Sequence, residues 1–84
     1  MSAKLRTPIF IDSVIFEFPD PPARYLRAIL KDDCGVICST LDAEVPLGSR
    51  SFRWSGLNDL PYGVYTIEYA LGAFEESSRM VKRV

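Results

Sequence analysis

The chain has 84 residues, of which 48% are hydrophobic, 25% charged and 12% aromatic. This length and composition predict one globular domain with its own core and exclude a disordered chain. Ten basic residues against eleven acidic ones give a net charge of −1, which argues against nucleic acid as a partner, because binding it needs a basic surface. No apolar run approaches the roughly 20 residues of a membrane-spanning helix.

The start of the chain, residues 1–8, is predicted to be a leader or linker in front of a single domain at residues 9–84. Its basic residues resemble the start of a signal peptide. However, Pro8 and Asp12 break the apolar segment that a signal peptide needs, and no small-residue cleavage site follows. If the domain is exported, its export signal is therefore expected elsewhere.

The first predicted strand, Ile9–Phe18, contains β-branched and aromatic residues without a helical period. Asp12 and Ser13 interrupt its alternation, which indicates a bulge or two short strands. The prolines within residues 19–22 end the strand, because proline cannot donate a hydrogen bond to a strand ladder.

Five more strands are predicted, at Ala23–Leu30, Val36–Leu41, Arg50–Trp54, Val64–Leu71 and Ser77–Val84. The first two of these form an antiparallel hairpin. The strand that begins at Val64 has one apolar row, formed by Tyr65, Ile67, Tyr69 and Leu71, and Val64 lies on its other, more polar row. Six or seven short strands at this spacing predict an all-β fold, a small antiparallel immunoglobulin-like β-sandwich, with a barrel as the alternative.

A tyrosine corner is predicted where Leu60 and Pro61 precede the strand that begins at Val64. In such a corner, a tyrosine near the start of a strand donates its hydroxyl hydrogen bond to upstream backbone. Tyr65 is the candidate, and Gly63 gives the backbone before it conformational freedom.

The inventory of reactive side chains argues against an enzyme. The chain has no histidine, which is the commonest general base, and no glycine-rich phosphate loop, so neither a catalytic residue nor a cofactor site is predicted. No metal site is predicted either, since Cys34 and Cys38 without a histidine do not make an ordinary zinc site. The four-residue spacing disfavours a disulfide unless a turn at Gly35 shortens it. Both cysteines are expected to pack in or beside a strand.

The order of several short motifs resembles the C-terminal sorting domain of the type IX secretion system of Bacteroidetes and, more distantly, the immunoglobulin-like domain of flagellar hook-capping proteins. The resemblance covers Phe16–Val84. The motifs that carry it are Phe18-Pro19-Asp20-Pro21, Asp33-Cys34-Gly35, Leu47-Gly48, Phe52-x-Trp54, Leu60-Pro61-Tyr62-Gly63-Val64-Tyr65, and the closing strand Arg79–Val84.

This resemblance implies a non-catalytic sorting domain, located in the periplasm, outer membrane or cell surface of a Gram-negative bacterium. Its implied partners are the outer-membrane translocon and, where the domain is cleaved, a sortase. The residues that correspond by position to recognition residues are Gly63, Tyr65, Lys82, Arg83 and Val84, of which Gly63 and Tyr65 also have a structural explanation.

Two further hypotheses come from the predicted fold. A structural or adhesive immunoglobulin-like module of a larger surface or flagellar assembly is the alternative function. In addition, the last strand is short and partly apolar, so we expect self-association or partner pairing through this edge strand. Its basic residues, Arg79, Lys82 and Arg83, are otherwise interpreted as solvated charges that discourage edge-to-edge aggregation.

Overall fold

The fold is built from strands alone in the part of the chain that the computed structural model describes, residues 4–18, 25–46 and 48–83. The prolines of residues 19–22, Leu47 and Val84 lie outside these residues. The eight strands are β1 (Lys4–Leu5), β2 (Ile9–Phe10), β3 (Val14–Glu17), β4 (Tyr25–Asp32), β5 (Ile37–Glu44), β6 (Ser51–Trp54), β7 (Gly63–Leu71) and β8 (Phe74–Lys82). The described residues include no helix that is long and apolar enough to cross a membrane.

The strands form two sheets, one of three strands in the order β1-β3-β6 and one of five in the order β2-β8-β7-β4-β5. Buried residues of both sheets belong to one hydrophobic cluster. The rings of Phe16 on β3 and Tyr69 on β7 meet edge to face across the interface, with centroids 5.2 Å apart. The predicted all-β sandwich is therefore confirmed, and the barrel alternative is wrong.

The predicted interruption at Asp12 and Ser13 separates two strands that belong to different sheets. β2, before it, pairs with β8, whereas β3, after it, pairs with β1 and β6. The described residues thus form eight strands rather than six or seven, because the break at Asp12 and Ser13 divides one predicted strand and β1 lies within the predicted leader. The sandwich is also not wholly antiparallel, since β2 and β8 run parallel.

Part of the predicted leader packs along the sheets. Lys4 and Leu5 pair with β3, and the backbone amide of Arg6 donates to the carbonyl of Ile15 at 3.0 Å. The Arg6 guanidinium also forms an ion pair with Glu17 at 2.9 Å. The backbone amide of Val81 donates to the carbonyl of Pro8 at 2.8 Å, which leads the chain from this segment into β2.

The core follows the predicted alternation closely. On β4 the inward row is Leu26, Ala28 and Leu30, and on β7 it is Tyr65, Ile67, Tyr69 and Leu71, all of them buried. Trp54 of β6 is buried as well, opposite Val14 of β3. These rows bury one face of each sheet, which is the main stabilising contribution in a sandwich of this kind.

The hairpin between β4 and β5 exposes both cysteines, so the expectation that they would be packed is wrong. Cys34 lies in the turn and Cys38 lies on β5, and both thiols are free. The register between β4 and β5 shifts between Leu30 and Lys31, which pair with Ser39 and Ile37. Cys38 lies at this irregularity and has no Cα partner on β4. Gly35 has a φ of 85°, the left-handed conformation that glycine adopts most easily.

Candidate recognition surface

Tyr65 makes the hydrogen bond that defines a tyrosine corner. Its hydroxyl donates to the carbonyl oxygen of Pro61 at 2.7 Å, and the residue is only 4% exposed. Its ring packs edge to face against Phe10 of β2, with centroids 6.1 Å apart. Burial, with smaller contributions from Cys38 and two nearby aspartates, raises the pKa of the Tyr65 phenol, which favours the protonated hydroxyl that donates this bond. The predicted tyrosine corner is confirmed.

Tyr65→Phe is expected to lower the free energy of unfolding by about 1 kcal/mol, because it leaves the Pro61 carbonyl without this donor and keeps the ring. Urea denaturation measures the change. Tyr62→Phe is the matched control, since Tyr62 is 66% exposed and loses only a solvated hydroxyl. A Tyr65→Phe variant as stable as the control would contradict a stabilising role of the corner.

Lys82 is buried, in contrast to its interpretation as a solvated basic residue. It is 2% exposed and lies on the same inward row of β8 as Met80. Its ammonium nitrogen, Nζ, donates to the carbonyl of Arg83 at 2.7 Å, which satisfies the charged end while the aliphatic stem is buried. Cα pairing places it opposite both Phe10 on β2 and Gly63 on β7.

Gly63 and Arg83, two more of the predicted recognition residues, lie at one corner of the five-stranded sheet. Arg83 is exposed, and its backbone amide donates to the carbonyl of Phe10 at 2.8 Å. Gly63 is half-buried at the start of β7. Gly63 and Arg83 are thus accessible to solvent next to the end of β8. The side chains of Tyr65 and Lys82 are buried in the sandwich instead. Val84 lies outside the described residues.

An exposed apolar row crosses this corner. Cα pairing aligns Ile9 of β2 with Val81 of β8, and Val81 with Val64 of β7. Ile9 is 45% and Val64 is 42% exposed, and Val81 between them is half-buried. Strict alternation places this row on the face opposite the core, because Phe10 and Lys82, the next residues on two of these strands, are buried.

Two more large apolar side chains adjoin this row. Ile11 follows β2 and is 55% exposed, and Tyr62 precedes β7 and is 66% exposed. We call these five residues the corner patch: Ile9, Ile11, Tyr62, Val64 and Val81. Contiguous exposed apolar surface on a small domain is typical of an interaction site.

Sequence reasoning did not find the corner patch, although one signal for it was present. Val64 was placed on the more polar row of its strand, where an apolar residue is unexpected. Antiparallel pairing places Val81 beside Val64. Ile9 joins the row through a parallel pairing with Val81, about 70 positions away in the chain, which no local pattern reveals. The pairing with β2 also means that β8 is not an edge strand at its C-terminal end, contrary to the prediction.

The turn between β4 and β5 holds a small group of possible ligand atoms. The carboxylates of Asp32 and Asp33 and the thiol of Cys34 lie within 4.8 Å of one another. Asp32 Oδ1 accepts hydrogen bonds from the backbone amides of Cys34 and Val36, both at 2.9 Å, so this carboxylate closes the turn. The charges of Asp33 and then Asp32 raise the pKa of the Cys34 thiol, which makes it less nucleophilic at neutral pH.

A scan of the chain against protein-family models finds no match. A search of curated proteins finds no relative either. The geometry of the corner patch and the order of the sequence motifs are therefore the observations on which a functional hypothesis can be built.

Proposed function

We propose that this chain is a non-catalytic sorting and interaction domain with an immunoglobulin-like strand arrangement, recognised by the outer-membrane machinery of type IX secretion. The proposal begins from the order of motifs across Phe16–Val84. The observation that supports it most is the corner patch, which lies beside Gly63 and Arg83, two residues that correspond by position to recognition residues.

The corner patch has the composition of a docking surface. It contains an aromatic residue and four β-branched residues, and the exposed Arg83 follows its strand β8 in sequence. Aromatic residues and arginine are enriched at the centres of protein interfaces. At the centre of the patch, the backbone of β8 at Val81 is held by pairing with β7 on one side and β2 on the other. A partner would therefore meet a rigid surface and lose little conformational entropy there.

The partners under this proposal are the translocon and sortase proteins, and the location is the periplasm, outer membrane or cell surface of a Gram-negative bacterium. Gly63 and Tyr65 position the corner: Gly63 is opposite Lys82, and Tyr65 ties the start of β7 to Pro61. Ile9, Val64 and Arg83 are the residues we assign to direct contact.

The experiment fuses residues 1–84 behind a reporter with a periplasmic signal peptide, in a host with type IX secretion. The complete chain is used because Lys4 and Leu5 pair with β3. We expect the reporter at the cell surface, and in the periplasm when the domain is absent or the host lacks the outer-membrane translocon. A folded fusion that stays in the periplasm of the competent host would overturn the proposal and favour a structural or adhesive module.

Deleting Lys82–Val84 would not test recognition separately from folding. Lys82 is buried opposite Gly63 and Phe10, and the Arg83 amide bonds to Phe10, so the deletion also damages the sandwich. Substitutions confined to exposed side chains of the corner patch separate recognition from folding.

A further inference from the structure

The five-stranded sheet has a long open edge at β5, away from the corner patch. β5 pairs with β4 on one side, and no strand among the described residues pairs with its other side. It has eight residues, whereas the edge strands β1, β2 and β6 have two, two and four. At the opposite edge of this sheet, β2 pairs only with Val81 and Lys82, so Phe74–Met80 of β8 has no second strand partner among the described residues. An open strand of this length presents a row of backbone groups that can pair with another segment.

β5 lacks most of the features that protect an edge. Residues 37–44 include no lysine, arginine or proline. The irregular register at Leu30/Lys31 disturbs only the start of the strand, and the pairing is regular from Ser39 to Glu44. Six consecutive residues are thus available for a ladder with an incoming strand.

The two faces of β5 determine which side chains an incoming strand would need at alternate positions. Thr40, Asp42 and Glu44 are exposed on the outer face. Ser39, Leu41 and Ala43 are half-buried on the other face, where Leu41 packs against the core cluster. An incoming strand would therefore place polar side chains beside the first row and apolar side chains beside Leu41.

The charge of this edge favours a basic partner. Asp42 and Glu44 are in neither of the ion pairs of the described residues, which are Arg6–Glu17 and Lys31–Glu68. A shallow trough on this sheet, about 1010 Å³ in volume, is lined by Arg27 and by four acidic residues, Asp42, Glu68, Glu75 and Glu76. Arg27 is the cross-strand neighbour of Asp42, but a second copy of β5 would bring further carboxylates and no cation, so self-pairing would place like charges beside one another.

We propose that β5 accepts an extended partner segment that adds a strand to the sheet, with lysine or arginine at alternate positions and aliphatic residues between them. Backbone pairing supplies the affinity, and contacts of the basic side chains with Asp42 and Glu44 supply the selectivity. This surface is at the opposite edge of the sheet from the corner patch, so both can be occupied at once.

The test titrates the ¹⁵N-labelled full chain with the capped hexapeptide Lys-Val-Lys-Val-Lys-Val and follows amide chemical shifts. We expect the largest shifts at residues 39–44. Lys-Pro-Lys-Pro-Lys-Pro has the same charge, but its prolines hold the chain near the polyproline II conformation and remove half of the backbone donors, so it is expected not to bind. Glu-Val-Glu-Val-Glu-Val is also expected not to bind. Equal binding of the proline peptide, shifts centred away from β5, or no binding of the first peptide at millimolar concentration would each overturn the proposal.

Two variants test the assigned charges. Asp42→Asn/Glu44→Gln is expected to weaken binding of the lysine-valine peptide roughly fivefold, on the scale of two cross-strand charge pairs. The matched control, Asp12→Asn/Asp59→Asn, removes two exposed acids that lie outside β5 and do not line the trough, and it should leave the affinity unchanged. Equal weakening by both variants would show a non-specific charge effect, and concentration-dependent shifts in β5 without peptide would show that a second copy occupies the edge; either result overturns the proposal.

Discussion

Phe16→Ala is expected to lower the free energy of unfolding by about 4 kcal/mol, the scale of a large-to-small change at a fully buried aromatic residue. Phe16 is 0% exposed on β3 and its ring meets Tyr69 of the other sheet at 5.2 Å. Phe52 on β6 is its cross-strand neighbour. The substitution would therefore open a cavity between the sheets and remove an aromatic pair as well as buried surface.

A loss of this size is large for a domain of 84 residues, whose total stability is expected to be roughly 4 to 12 kcal/mol. Urea denaturation followed by Trp54 fluorescence measures it. The control is Tyr62→Ala, which removes a ring that is 66% exposed and should change stability much less. A Phe16→Ala change as small as that of the control would mean that the two sheets are not joined through this ring.

Ile9→Thr/Val64→Thr is expected to reduce surface delivery of the reporter at least about tenfold, because an apolar partner would have to bury two hydroxyls without hydrogen bonds. Threonine is β-branched, so strand preference is retained in both positions. Since both side chains lie on the solvent side of the sheet, the stability of the domain should change little. Thermal unfolding of the purified variant checks that expectation separately from export.

The chain offers a close control for this variant. Val36 and Ile37 are the same two residue types, 58% and 55% exposed, at the other edge of the five-stranded sheet. Val36→Thr/Ile37→Thr therefore removes a similar amount of exposed apolar surface away from the corner patch. It should leave surface delivery unchanged.

Local sequence patterns predicted the strands and the core well, because alternation along a strand directly reports which face is buried. The inward row of β7 was predicted residue by residue, as was the break at Asp12 and Ser13. The bond from Tyr65 to Pro61 was also predictable, since both partners lie within one short segment.

The arrangement of strands in space was harder to predict. The parallel pairing of β2 with β8 joins the two ends of the chain, and no local pattern specifies it. Lys82 was expected in solvent from its charge, although its alternation with Met80 indicated the inward row that it occupies. The last strand was expected to be an edge, and β2 covers only its end at Val81 and Lys82, whereas β5, at the other side of the sheet, is open along its whole length among the described residues.

The most direct test of the proposed recognition surface is the surface-exposed fraction of the reporter in three fusions, measured side by side by protease accessibility on intact cells. We expect equal display for the native domain and for Val36→Thr/Ile37→Thr, and at least about a tenfold loss for Ile9→Thr/Val64→Thr at unchanged domain stability. Display of the Ile9→Thr/Val64→Thr fusion at the native level would contradict recognition through the corner patch.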